Sequence, residues 1–129
     1  MMKIYQKALN LQLLYVFLVV VWNATGLWQT QQGVQSIGPV ASITVIAIAL
    51  MTGLSLICMT RRGLVKSYFA FSFLVLLIAS LSVYRAFSDD PGGWPSDLWR
   101  YVGAAINAIG VVSFIVLVIS RFNTLHNTK

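Results

Sequence analysis

The break between two long apolar runs of this chain reads Arg61-Arg62-Gly63-Leu64-Val65-Lys66. The runs on either side are each about 20 residues long, the length that crosses a hydrocarbon core of about 30 Å. Basic side chains are costly at the centre of a bilayer, so this stretch belongs at a membrane surface. The break therefore predicts two antiparallel membrane-spanning helices joined by a tight turn.

The composition of the whole chain favours the same architecture. Of its 129 residues, 58% are hydrophobic and only 9% are charged, and the mean hydropathy is +0.81. A soluble domain normally carries about a quarter charged residues. We therefore predict an all-α polytopic membrane protein, a single four-helix transmembrane domain over 1–129. Its helices are expected at about 8–28, 37–59, 64–84 and 98–120, with Pro39 opening the second.

The distribution of charge predicts the orientation. Four spans place the two termini and the 60–66 loop on one side, and that side carries only basic charges. The opposite side carries all the acids. An excess of Lys and Arg in short loops stays in the cytoplasm, so both termini are expected there, in a bacterial inner membrane. The basic side holds Lys3, Lys7, Arg61, Arg62, Lys66, Arg121 and Lys129.

The basic turn has two interpretations. Arg61, Arg62 and Lys66 act as a topology signal in the simpler one. In the other they also attract anionic lipid, at about 1 kcal/mol for each charge near the surface. All four tryptophans fall on the opposite side, where they favour an aromatic belt at the headgroup level over a binding surface: Trp22, Trp28, Trp94 and Trp99.

Small residues recur on two of the predicted helices. Ala49 and Gly53 share a face of the second segment, and Gly103 and Gly110 share a face of the fourth. Such residues let helix backbones approach closely in lipid. They predict a compact bundle or an oligomer, in contact with the bilayer and with another membrane protein or a second copy. The bulky first segment is expected to face lipid.

Two asparagines are candidate polar contacts within the spans. Asn23 and Asn107 both lie in the outer halves of their segments. As structural groups they would form hydrogen bonds between helices, each worth about 0.6 kcal/mol. As functional groups they would line a polar path. They approach one another if the first and fourth helices pack together.

The second outer loop gathers the charges of both signs: Arg85, Asp89, Asp90, Asp97 and Arg100. In a functional interpretation, the three carboxylates bind a cation or a basic loop of a partner. In a structural one, the arginines end helices while the acids solvate a turn and cap the next helix. The structural interpretation is the simpler.

The sequence lacks the residues that catalysis, metal binding or cofactor binding would require. Cys58 and His126 are the only cysteine and histidine, and we find no pairing of nucleophile and base and no phosphate-binding glycine loop. No enzyme activity, cofactor, metal or nucleic acid is therefore expected. In length and helix number the chain resembles the small multidrug resistance exporters, which depend on a glutamate in their first helix. The first segment has no acid, so the resemblance ends at size and topology.

The sequence is compatible with three functional hypotheses. The first is a non-enzymatic accessory or scaffolding subunit of a larger membrane complex or of a homo-oligomer. The second is a small oligomeric carrier or channel for a small solute, with Asn23 and Asn107 lining the path. The third is an immunity or lysis-type membrane protein.

Overall fold

The computed structural model describes residues 2–126, and Lys129 of the predicted basic side lies outside them. Four long helices account for most of the described chain, and no strand occurs within it. Each of these helices is long and apolar enough to cross a membrane, which confirms the predicted all-helical architecture. They are α1 (Gln6–Gln31), α2 (Ile43–Arg61), α3 (Val65–Ser88) and α4 (Asp97–His126), and short 3-10 helices form at Met2–Tyr5 and Pro91–Gly93.

The helices run alternately up and down. We call the end that holds Met2–Tyr5, the α2–α3 turn and the last turns of α4 the terminal end. The other end, with the loops 32–42 and 89–96, is the tryptophan end. Gly63 closes the α2–α3 turn with φ +68°, a left-handed conformation that suits glycine. Leu64 N–H then donates to Met59 O at 2.9 Å, so the chain reverses within a few residues.

The core at the terminal end is built from all four helices. Leu9, Leu56, Tyr68 and Leu117 are buried together there, with Tyr5 of the first 3-10 helix. Tyr5 also packs edge-on against Phe69, with ring centroids 5.7 Å apart. Away from this core α4 packs along both α1 and α3, and α1 packs along α2. Contacts between α2 and α3 are sparse, although the two helices are consecutive in the chain.

The second helix begins at Ile43, six residues after the predicted start at 37. Pro39 does not open it. Ser42 is the N-cap, and its hydroxyl accepts from Thr44 N–H at 3.1 Å. The preceding segment is tied to α1 instead, because Asn23 Oδ1 accepts from Ser42 N–H at 3.2 Å and Gln29 Oε1 accepts from Ile37 N–H at 2.7 Å.

The first helix is not the lipid-facing helix that its bulk suggested. Gln12, Tyr15 and Val16 of α1 are buried, because the small residues of its neighbours leave room for them. A Cβ atom on Gly53 would lie 3.2 Å from Val16 Cγ1, and one on Gly110 would lie 3.2 Å from the Tyr15 ring. Bulky side chains of α1 therefore fill the grooves that α2 and α4 open.

The predicted small-residue positions are all buried within the chain. Ala49 is 8% exposed, and the buried Gly53 and Gly110 contact neighbouring helices as described. Gly103 lies against two indoles, since a Cβ there would be 3.0 Å from Trp94 and 3.3 Å from Trp22. Close packing within one chain is thus what the three glycines support.

Candidate functional site

A cavity of about 400 Å³ lies at the tryptophan end, between all four helices. Volumes of this size are typical of sites that hold small molecules. The cavity exists because α2 and α3 make few contacts, while the loops 32–42 and 89–96 cover its end. Its lining is mainly apolar and includes Val16, Val19, Val45, Val75, Ile78 and Ile106.

One side of the cavity reaches the outer surface of the bundle. Ile48 of α2 and Ile78 of α3 both line the cavity. They are also 57% and 59% exposed, so they stand at the rim of an opening between the two helices. An apolar molecule therefore has a lateral route into the cavity between these two isoleucines.

Two tryptophans form the wall near the tryptophan end. The Trp22 and Trp94 ring centroids are 6.3 Å apart, and Trp22 also contacts Trp99 at 6.2 Å. Trp22 and Trp94 line the cavity and are half-buried, whereas Trp28 is 62% exposed, as a belt residue would be. Gly38 and Gly103 make room for the Trp22 ring. Trp22, which the sequence predicted as a belt residue, therefore packs inward and forms part of the cavity wall.

The two predicted asparagines face this same cavity but form no hydrogen bond with each other. Asn23 Nδ2 donates to Val19 O at 2.9 Å, and its Oδ1 binds Ser42 N–H. Asn107 Nδ2 donates to Gly103 O at 2.9 Å, while its Oδ1 accepts from Tyr15 OH at 3.1 Å. Each amide uses only one of its two N–H hydrogens in these bonds, so each retains a donor.

Thr52 adds a further hydroxyl to the lining. Unlike Ser82, whose hydroxyl donates to Ile78 O at 2.9 Å, Thr52 makes no side-chain hydrogen bond within the described chain. Serine and threonine hydroxyls inside helices commonly donate to the carbonyl four residues earlier. A polar atom of a bound molecule thus finds the Thr52 hydroxyl unengaged in a mainly apolar lining.

A buried polar cluster closes the bundle below the cavity, toward the terminal end. Gln12 Nε2 donates to Ser72 Oγ at 2.9 Å, and Tyr68 OH donates to Gln12 Oε1 at 2.7 Å. All three side chains are at most 1% exposed. Sequence reasoning missed Gln12 because α1 was expected to face lipid. The available signal was a lone glutamine within an apolar run, with Tyr68 and Ser72 one turn apart on another helix.

The predicted charge cluster separates into three parts. Arg100 pairs with Asp97 at 2.8 Å and lies over the rings of Phe87 and Tyr101. Asp90 caps the short 3-10 helix by accepting from Gly92 N–H at 2.9 Å. The structural interpretation therefore suits these three charged residues.

Arg85 and Asp89 are placed differently, since both line the cavity. The Asp97–Arg100 contact is the only ion pair between residues 2 and 126. Within the same residues, the side chains of Arg85 and Asp89 form no hydrogen bond. Arg85 lies in the last turn of α3, and Asp89 is its C-cap. Arg85 and Asp89 are therefore the two charged residues of the cluster that a ligand in the cavity could contact.

The basic turn lies at the other end of the molecule. Arg61, Arg62 and Lys66 are exposed at the terminal end and form no ion pair in the described part of the chain. Cys58 is exposed on α2 nearby. No group of three or more His, Cys, Asp or Glu side chains over residues 2–126 is arranged to hold a metal ion.

Comparisons with protein-family models, with curated proteins and with solved structures find no match to this chain. The cavity is the feature of the described chain that points to a function. Its apolar lining, lateral opening and few polar groups are typical of a site that binds a small molecule. Among the described lining residues, the charged side chains are Arg85 and Asp89, at the tryptophan end.

Proposed function

We propose that this protein is a non-enzymatic integral membrane protein that binds a small apolar or amphipathic molecule in the cavity at its tryptophan end. The observation that carries the proposal is the cavity of about 400 Å³ that opens between Ile48 and Ile78. A lateral opening between spanning helices admits a molecule that is already dissolved in lipid. The few polar groups, Asn23, Asn107 and Thr52, would orient it.

The orientation belongs to the proposal. All four helices span the bilayer, with the basic terminal end in the cytoplasm and the tryptophan end, with the cavity, on the opposite side. The bound molecule then comes from the outer leaflet. A phosphatase domain inserted at Gly92 and a fluorescent protein fused after residue 129 test this. We expect both reporters to be active, and an inactive phosphatase beside an intact protein would contradict the orientation.

The cavity fits the first step of a small carrier better than an open channel. A channel needs a polar path through the whole bundle, whereas the Gln12–Tyr68–Ser72 cluster closes the bundle at the terminal end. Release on the cytoplasmic side would require these buried bonds to break. Binding from one side is accordingly the activity to be tested first.

The accessory-subunit and immunity or lysis roles stay predictions. Of the small residues that favoured a protein partner, Gly53, Gly103 and Gly110 pack against neighbours in the same chain, and Ala49 is buried and lines the cavity. They therefore leave no small-residue face of their own for a second protein.

Tryptophan fluorescence offers a direct test of binding. The probe is a nonionic single-chain maltoside with bromine, a quencher, attached to its chain close to the head. The protein is held in nanodiscs of unbrominated lipid and carries Trp28→Phe, because Trp28 is 62% exposed and would report the bulk bilayer. We expect saturable quenching of the indoles at the cavity wall. Quenching that rises only linearly with probe would mean partition into lipid and would contradict the proposal.

A further inference from the structure

Two unpaired charges of opposite sign mark the cavity at its tryptophan end. Arg85 and Asp89 are four residues apart, a spacing that normally brings side chains together on a helix. Here Asp89 has left the helix, with φ −81° and ψ 166°, so its carboxylate does not share the helical face of Arg85. Neither side chain has an ion pair or hydrogen bond within residues 2–126. Both residues are exposed and line the cavity, so their charges are available to a ligand at its rim.

The surrounding charges do not compete for them. Arg100 and Asp97 are paired with each other, and the Asp90 carboxylate is engaged by Gly92 N–H. A purely anionic ligand would satisfy Arg85 and bring its charge close to Asp89, and a purely cationic one would do the reverse. A ligand that carries both signs a short distance apart satisfies the two residues together.

We propose that Arg85 and Asp89 recognise the zwitterionic headgroup of a membrane phospholipid, which carries a phosphate and a primary ammonium, and that one of the two hydrocarbon chains of this lipid lies in the cavity. This inference rests on the proposed function. The Arg85 guanidinium donates to phosphate oxygens, for which its planar fork is well suited. The Asp89 carboxylate accepts from the ammonium, which has three donors.

The rest of the cavity suits the chain of such a molecule. Val75 lies ten residues before Arg85 on α3, so the lined part of this helix is about 15 Å long. Val19, Ile78 and Ile106 supply apolar contacts along it. Because the opening between Ile48 and Ile78 is lateral, the chain enters sideways while its headgroup stays at the level of the headgroups around it.

Head-group selectivity is measured with three probes that share one brominated chain and carry phosphoethanolamine, phosphoglycerol or maltoside heads. In the Trp28→Phe protein we expect the phosphoethanolamine probe to bind about fivefold more tightly than the other two, in keeping with partly exposed charge contacts. Arg85→Gln should weaken both phosphate probes. Asp89→Asn should remove the preference for ethanolamine over glycerol. Both substitutions should change binding of the maltoside less than binding of the phosphate probes, because its head carries no charge.

Matched controls come from the same loop region. Arg100→Gln and Asp97→Asn remove one charge of each sign from a pair that does not line the cavity, and we expect them to leave the selectivity unchanged. Equal affinities for the three heads, or a preference that survives both Arg85→Gln and Asp89→Asn, would overturn this inference alone. Absence of saturable binding by all three probes would overturn the proposed function together with it.

Discussion

Gln12→Leu is expected to lower the free energy of unfolding by about 2 kcal/mol. The substitution removes two hydrogen bonds among side chains that are at most 1% exposed. Hydrogen bonds inside membrane proteins average about 0.6 kcal/mol and reach about 1.7. The larger values apply here, because the Tyr68 hydroxyl loses its Gln12 acceptor in an enclosed site where only the Ser72 side chain remains near it. Unfolding in mixed micelles at increasing dodecyl sulfate concentration measures the loss.

Two further variants identify the cause. Tyr68→Phe in the Gln12→Leu background removes the hydroxyl that has lost its Gln12 acceptor, so we expect it to restore part of the lost stability. Asn10→Leu places the same new side chain on an exposed position of α1 and should change stability by less than about 0.5 kcal/mol. If Gln12→Leu proved as harmless as Asn10→Leu, the buried cluster would not contribute as described.

Val45→Phe is expected to weaken binding of the nonionic brominated probe at least tenfold. Val45 is a half-buried residue of α2 in the cavity lining, so the added ring occupies volume that the ligand needs. Each factor of ten corresponds to about 1.4 kcal/mol, which is within the usual penalty for overfilling a packed site. The measurement is the saturable quenching of the indoles at the cavity wall, in the Trp28→Phe protein.

Met51→Phe is the matched control for this change. Met51 lies on the same helix but is 63% exposed and does not line the cavity, so its ring would project outward. We expect Met51→Phe to bind the probe as the parent protein does. Equal affinities of Val45→Phe and Met51→Phe would show that the probe binds elsewhere.

The helical architecture followed from the sequence because it depends on local composition. Each span is a long apolar run, and the break at Arg61-Arg62-Gly63 forces a turn whatever the helices pack against. The predicted start of α2 was wrong because the position at which this helix begins depends on contacts with residues remote in sequence. Asn23 and Gln29 of α1 hold the segment before Ser42 out of the helix, and no local pattern around Pro39 reveals them.

The candidate site was only partly foreseeable. Asn23 and Asn107 were identified as polar groups within apolar segments, and both line the cavity. The cavity itself depends on how far α2 and α3 diverge, which no single segment encodes. Gln12 was missed because the burial of α1 arises from matching its bulk to the glycines of other helices. Arg85 and Asp89 differ from their charged neighbours only through the way α3 ends.

Photo-crosslinking tests the central claim, the occupied cavity, most directly. The protein in lipid nanodiscs is illuminated with a single-chain amphiphile that carries a diazirine near the end of its chain, and the labelled residues are identified by mass spectrometry. We predict that labelling concentrates on Val19, Val75 and Ile106, which line the cavity from three helices. Labelling confined to the outward-facing residues Leu54, Leu77 and Ile115 would contradict the account.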